Sequence, residues 1–321
     1  MTDLVCGIDL GGTKLLGLAI DPTADEPVLA HKVPTPSGTD AVVDAMVALG
    51  QQLIDEAVDA GHRVVGLGLG APGLVDRSGT LRYGPNVPGL IDVRFADVLG
   101  DRLGVPVVVD NDATCAAWAE HERGAAKGAN HSVTVTLGTG IGAGITVKGE
   151  ILRGANGFAG ELGHMVVDPH GPKCPCGRRG CWERFASGSG LGRLAREAVA
   201  ADPGAPSRMV ELAGGDPEGV RGEHVTVAAA DGDEQALEVI GQFAWWVALG
   251  VANVVNILDS EVVVIGGGLA EAGDLLLDPI RAAYDELVMG GAHRELVPIV
   301  QAQLGERAGA WGAALLAHAR A

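Results

Sequence analysis

The chain has 321 residues, 47% hydrophobic and 3% aromatic, with 50 glycines and 23 Lys and Arg against 41 Asp and Glu, a formal net charge of −18. That length suits about two domains, the apolar content excludes a disordered or fibrous chain, and the acidic balance opposes nucleic-acid and anionic-membrane partners. No run approaches ~18 uninterrupted apolar residues, the length of a bilayer-spanning helix, and the start, MTDLVCGIDLGG, carries no basic leader, so a soluble, cytoplasmic protein is expected.

In chain order, residues 5–10 (VCGIDL) predict a buried strand, and residues 40–60 predict a helix with Asp40 as its N-cap. Residues 64–70 (VVGLGLG) and 105–110 (VPVVVD) read as further strands, the second running into a helix through Asp110, Asn111 and Asp112. Residues 132–138 (SVTVTLG) add a strand, 202–233 read as a Gly/Pro-rich loop or insertion, and 234–258 read as a helix. A last strand, EVVVIGGG at 261–268, precedes a C-terminal helix at 307–320. Strands alternating with helices predict an α/β fold with mostly parallel central strands. Residues 8–20 (IDLGGTKLLGLAI) align without gaps on 135–147 (VTLGTGIGAGITV), both reading as strand, glycine turn, strand. Either two related α/β domains open with equivalent hairpins, or two Gly-rich hairpins resemble each other by chance.

Asp9, Gly11, Gly12, Thr13 and Lys14 (DLGGTK) set a strand-end carboxylate before two glycines, a hydroxyl and an ammonium. Glycines let backbone N–H groups approach phosphate oxygens, and Asp9 suits Mg²⁺ through bound water, since hard cations prefer oxygen. Thr139 and Gly140 in LGTGIG form a second such loop, and Gly266, Gly267 and Gly268 form a third where α/β sheets commonly bind ligands. An ordinary hairpin turn is the alternative for each loop alone. At the 110–112 junction, the choice lies between helix capping and a catalytic carboxylate at a strand end.

The chain has five cysteines, and Cys174, Cys176 and Cys181 cluster in CPCGRRGC, with nine residues between His164 and Cys174. Three thiolates and one imidazole suit a closed, structural Zn²⁺ site, the alternative being a reduced, metal-free cluster. Glu161 and Glu183 lie beside these residues, where fixed carboxylates could accept hydrogen bonds from sugar hydroxyls.

These motifs together resemble the ROK family of sugar kinases and repressors, within the actin/hexokinase-like superfamily. The resemblance runs from residue 9 to residue 269 and is most specific in GELGHMVVDPHGPKCPCGRRGCWERFASG, residues 160–188. It implies an α/β, two-domain RNase-H/actin-like (hexokinase-like) ATPase fold with an interdomain cleft. The expected domains are 1–112 with the helix of 301–321 packed on it, and 113–300 with the zinc loop 164–181. It implies ATP-dependent phosphorylation of the glucose 6-hydroxyl with Asp112 as general base. Asn111, Glu161, His164 and Glu183, with Gly73 and Asn86 matched more loosely, would bind sugar, and Mg²⁺ would accompany ATP. The phosphate loops and the sugar residues would each divide between the two domains. An N-acetylglucosamine or N-acetylmannosamine kinase is the alternative, followed by a sugar-binding regulator without turnover. Two departures stand out: NDAT at 111–114 where NDAN is common, and Ser260 where Pro is common. The family's repressors carry a DNA-binding segment ahead of the first loop, which here starts at residue 9, so a repressor is not expected. Apolar helical surface at Trp245 and Trp246 leads to the expectation of a homodimer or homotetramer.

Overall fold

A computed structural model describes residues 1–84, 91–202 and 204–320. The first elements are β1 (Asp3–Leu10), β2 (Lys14–Ile20), β3 (Leu29–Pro34), α1 (Thr39–Asp59) and β4 (Arg63–Ala71). Next come β5 (Leu74–Val75), β6 (Leu81–Tyr83), β7 (Ile91–Val93), α2 (Phe95–Leu103), β8 (Val107–Asn111) and α3 (Asp112–Arg123). They are followed by β9 (Ser132–Leu137), β10 (Ile141–Val147), β11 (Glu150–Ile151), α4 (Glu183–Ala186), α5 (Gly188–Ala201) and α6 (Arg208–Leu212). The chain ends with α7 (Gly222–Ala230), α8 (Glu234–Leu258), β12 (Val262–Gly266), α9 (Asp274–Leu287), β13 (Ile299–Gln301) and α10 (Ala308–His318).

Two five-stranded sheets share one topology: β3-β2-β1-β4-β8 and β11-β10-β9-β12-β13, beside a small β5-β6-β7 sheet. The aligned segments 8–20 and 135–147 fall on the β1–β2 and β9–β10 hairpins, which occupy equivalent places in the two sheets. Gly17 and Gly144, matched in that alignment, each sit in the second strand of their hairpin. A Cβ on Gly17 would meet Leu49 at 3.0 Å, and one on Gly144 would meet Ala117 at 2.3 Å. Each glycine therefore admits a helix against its strand.

The contacts divide the chain into one unit of residues 1–134, 144–160 and 303–321 and another of 135–143 and 161–302. Where the sequence suggested a boundary at residue 112, the contacts group α3, the start of β9 and residues 144–160 with the first unit. In that unit the alternation of β1 turns Leu4, Cys6, Ile8 and Leu10 towards Met46, Leu49 and Leu53 of α1 and Phe95 and Leu99 of α2. Val5 faces the other way, into a cluster with Trp311 and Ala314 of α10 and Ala116 of α3. α10 lies close on the sheet because the strands beneath it carry bare glycines. A Cβ on Gly7 or Gly68 would come within 2 Å of the Ala310 or Ala313 carbonyl oxygen respectively.

In the second unit α8 packs against α5, α7 and α9. It passes over Trp182 at Gly250, and the Trp182 indole N–H donates to the Trp246 carbonyl at 2.7 Å. α8 is long and apolar enough to cross a membrane by length and composition, yet 56% of the relevant window is buried inside the protein, as in a core helix. Two local expectations are corrected. The N-cap of α1 is Gly38 without a side-chain bond, and Asp40 lies in the first turn, where its charge favours the helix dipole. Residues 202–233 hold α6, a 3₁₀ turn at Pro217–Gly219 and α7, helices too short for their apolar spacing to stand out among Gly and Pro.

Candidate active site

Three parallel strands bring carboxylates to one end of the first sheet. The register pairs Asp9 of β1 with Gly70 of β4, and Gly70 with Asp110 of β8. β8 enters α3 without a loop, so Asn111 and Asp112 stand at a strand end, where α/β sheets place ligand groups. Asn111 caps α3: its side-chain oxygen accepts from the Thr114 N–H at 3.0 Å, and its amide donates to the Gly73 carbonyl at 3.1 Å. The cap is thus Asn111's work, and Asp112 is not needed for it. An oxygen of Asp112 accepts from the Ala113 N–H at 2.8 Å.

Gly70 lies beside both carboxylates. A Cβ there would lie 3.4 Å from the Asp112 Cα and 3.6 Å from an Asp9 oxygen. Gly309 of α10 closes on Asp9 in the same way, its missing Cβ 2.7 Å from the Asp9 carboxyl carbon. Burial, and then the charge of Asp112, push the Asp9 carboxyl up to about 7, against the opposing pull of Lys14. A buried carboxylate raised by its neighbour in this way fits a hard divalent cation, which would relieve the repulsion.

The loop at 11–14 turns tightly, with the Gly11 N–H donating to the Lys14 carbonyl at 3.0 Å, and Gly12 and Thr13 exposed. Thr35, not singled out in the sequence, braces it: its hydroxyl donates to the Gly11 carbonyl at 2.7 Å, and its N–H to Thr13 at 3.1 Å. The Lys14 ammonium donates to Glu306 at 2.6 Å, and Lys32 shares the same carboxylate at 2.9 Å. Lys14 therefore stands in an ion pair as well as beside the loop.

The second loop closes through the Gly138 N–H and the Gly140 carbonyl at 3.0 Å. It borders a cavity of about 1070 Å³ lined by Thr139, Ser189, Arg196, Arg221, Thr226 and Gly268, among others. Of the third loop only Gly268 lines this cavity. Gly267, at φ 81°, permits the turn against Leu137, and a Cβ on Gly266 would meet Ala302 at 3.1 Å. The α5 start faces the cavity with Gly188 and Ser189; Ser187 caps the helix by accepting from the Gly190 N–H at 3.2 Å. Helix N-termini suit anions, and two arginines add charge. The sequence reading missed α5 and α7 here. The signal available was SGSGLG at 187–192, since a Cβ on Gly192 would meet Arg221 at 3.2 Å and one on Gly222 would meet the Gly188 carbonyl at 2.9 Å.

Glu183 reaches the second hairpin. Its carboxylate accepts from the Ile141 N–H at 3.0 Å and lies where a Cβ on Gly140 would be, 2.3 Å away. His164 and Glu161 face one another, Nε2 to carboxylate oxygen, at 3.8 Å. Burial raises the Glu161 pKa, His164 lowers it, and Glu183 raises it again.

The other imidazole nitrogen, Nδ1, faces the Cys174 sulfur at 3.8 Å, and the Cys176 and Cys181 sulfurs are 3.6 Å apart. The ligand atoms of all four residues lie within 4.8 Å of one another. Tetrahedral Zn²⁺ with Zn–S of about 2.3 Å sets ligand–ligand distances of roughly 3.8 Å, so the donors fit that ion. The knuckle is built by its own backbone: Cys174 N–H to Arg178, Gly177 N–H to Cys174 and Val167 N–H to Gly180, all between 2.8 and 3.0 Å. Burial, and then the neighbouring thiols, push Cys181 up to about 12, so thiolates here call for a cation. Gly73 is at φ 106°. Asn86 lies outside the described residues.

The repeated sheets, the carboxylate row and the glycine hairpins define an actin-like, hexokinase-like ATPase fold of the sugar-kinase class. Residues 5–320 match the ROK family, and the chain belongs to it. A glucokinase of Streptomyces coelicolor is 39% identical over 98% of each chain, and an N-acetylmannosamine kinase of Salmonella typhi is 34% identical over 97% of each. A solved ROK glucokinase of Streptomyces griseus, in complex with glucose and AMPPNP, is 37% identical, with a TM-score of 0.88, covering 98% of this chain and 99% of that one.

Proposed function

We propose that the chain transfers the γ-phosphoryl group of ATP to the 6-hydroxyl of glucose, with Asp112 as general base. The glucokinase relatives support this activity, and the observation that carries the residue assignment is the carboxylate row. Asn111 caps α3, which leaves the Asp112 carboxylate beside Asp9 at a strand end. Asp112 takes the proton from the sugar hydroxyl as that oxygen attacks phosphorus. Asn111, Glu161, His164 and Glu183 hold sugar hydroxyls, with Gly73 and Asn86 contributing backbone and amide groups. Glycine turns at 11–12 and 138–140, with Thr13, Lys14 and Thr139, offer N–H, hydroxyl and ammonium donors to phosphates. Gly268, Arg196 and Arg221 serve the rest of the nucleotide. Asp9 would hold Mg²⁺ through water, and that ion supplies charge neutralisation on the phosphoryl oxygens.

His164, Cys174, Cys176 and Cys181 would hold Zn²⁺, a closed site whose chemistry is structural. His164 would offer the metal its Nδ1, which faces the Cys174 sulfur, and keep Nε2 for Glu161 or the sugar. A cytoplasmic location belongs to the same reading, because reducing conditions preserve such a thiol cluster. So does assembly as a homodimer or homotetramer, for which Trp245 is 40% exposed while Trp246 stacks on Phe185.

The test is a coupled assay of ADP release with glucose, mannose, N-acetylglucosamine and N-acetylmannosamine, with the product position assigned by NMR. Glucose 6-phosphate as the preferred product is expected. Preference for an N-acetylated sugar would select the alternative kinase, and no turnover with any sugar would favour a sugar-binding regulator.

A further inference from the structure

We propose that Asp110 and Arg153 are a positioning pair that holds the strand end bearing Asn111 and Asp112, and that turnover depends on it. The proposal rests on the reading of Asp112 as base. The Asp110 side chain is 8% exposed, and one of its oxygens takes both Nε and Nη2 of Arg153 at 2.8 Å. Its other oxygen accepts the Asn111 N–H at 2.9 Å. A single carboxylate therefore links a fixed guanidinium to the amide of the residue preceding Asp112. A buried charge held this way needs its partner, since an unpaired one is strongly disfavoured.

The backbone next to Arg153 is held in place. The Gly154 carbonyl accepts two N–H bonds from the Arg77 guanidinium, at 2.9 and 2.6 Å, and the Asn156 carbonyl accepts the Arg77 N–H at 3.2 Å. Gly157 packs so closely that a Cβ would stand 2.7 Å from the Val75 carbonyl. The support thus runs from the Arg77 loop through Arg153 to Asp110, and ends at the cap of α3. Arg153 also places one positive charge among Asp9, Asp110 and Asp112, whose combined field is felt at buried Cys115. Without it, the acidic cluster would repel itself and the strand end would shift. A displacement of about 1 Å in a reacting group can cost 10²-fold in rate.

Both side chains border a polar cavity of about 290 Å³, so truncating Arg153 admits water rather than leaving a sealed void. Folded variants are therefore expected. The experiment compares kcat, ATP KM and melting temperature for full-length Asp110→Asn, Arg153→Met, Arg153→Lys and the Asp110→Asn/Arg153→Met double variant. Each of Asp110→Asn and Arg153→Met should lower kcat about ten- to a hundredfold with ATP KM within twofold. The double variant should be no worse than the poorer single one, since partners act as a unit. Arg153→Lys, keeping charge but not the fork, should recover part of kcat. Effects that multiply in the double variant, single variants with kcat within twofold of the parent, a lowered melting temperature without a kcat defect, or failed folding of Arg153→Lys would overturn the pair. Asp112→Asn assayed in parallel separates the two readings. An active Asp112→Asn removes the base, whereas an inactive one beside normal pair variants removes only the pair.

Discussion

Asp76 shows how much one side chain can organise. Its carboxylate accepts from the Ser78 hydroxyl at 2.6 Å, the Ser78 and Thr80 N–H groups at 2.9 and 3.1 Å, and Arg82 at 2.7 Å. The Ser78 hydroxyl first, and then Thr80 and Arg82, hold its pKa down from 3.8 to about 2. The unfolded chain takes up this proton before the folded one does. The resulting stability is therefore present above about pH 4 and is lost as pH falls towards 2, at most about 2 kcal/mol. Asp76→Asn should cost that amount at pH 7 and flatten the loss between about pH 4 and 2, measured by urea titration. Parallel pH curves for variant and parent would contradict it. The same scale shows what the sequence leaves open. Asp110, Asn111 and Asp112 are visible as a polar junction, but two of them can cap a helix equally well on paper. The Asn111–Thr114 hydrogen bond decides that, and depends on a side-chain rotamer that no spacing specifies.

Elements with strong apolar periodicity were the legible ones. Residues 234–258 form α8 with those same bounds, because Val239, Ile240, Phe243, Val247 and Val251 repeat along a buried face. The gathering of His164 with the three cysteines was legible too, since metal-binding donors keep short spacings. Less legible were elements whose information is an absence: α10 reads as a helix, yet what lets it settle is the missing Cβ of Gly7 and Gly68 beneath it. Gly68→Ala should destabilise the protein by ~1–3 kcal/mol, an overpacking cost against the Ala313 carbonyl. Gly241→Ala, within α8 and with nothing inside 4 Å of the new Cβ, should instead stabilise by up to ~1 kcal/mol. Denaturant titration of both variants checks the contrast, and equal shifts would refute it. Cys176→Ala should lose one Zn²⁺ per chain by elemental analysis together with most activity, as the knuckle ahead of Glu183 loosens. Active parent protein without zinc would remove the metal from the account.

At the scale of the molecule, the repeated sheet order accounts for the weak echo between residues 8–20 and 135–147. Each hairpin keeps a glycine where a helix must pack, and little else in the two segments need match. The grouping of α3 with the first unit is not visible in the sequence because it rests on packing against α10, with Gly312 closing on the Cys115 carbonyl, a contact nearly two hundred residues apart in sequence. A sugar that binds the folded chain alone should raise its stability by about 2.7 kcal/mol at a hundred times Kd. Glucose should do so in thermal unfolding more effectively than N-acetylmannosamine, and the reverse order would favour the alternative kinase. The most direct test of the whole account is Asp112→Asn, which keeps the side chain's shape and removes its basic oxygen. Steady-state ATP-dependent formation of glucose 6-phosphate should fall by ~10²–10⁴-fold while calorimetry still registers glucose binding. Turnover near that of the parent would contradict Asp112 as the base.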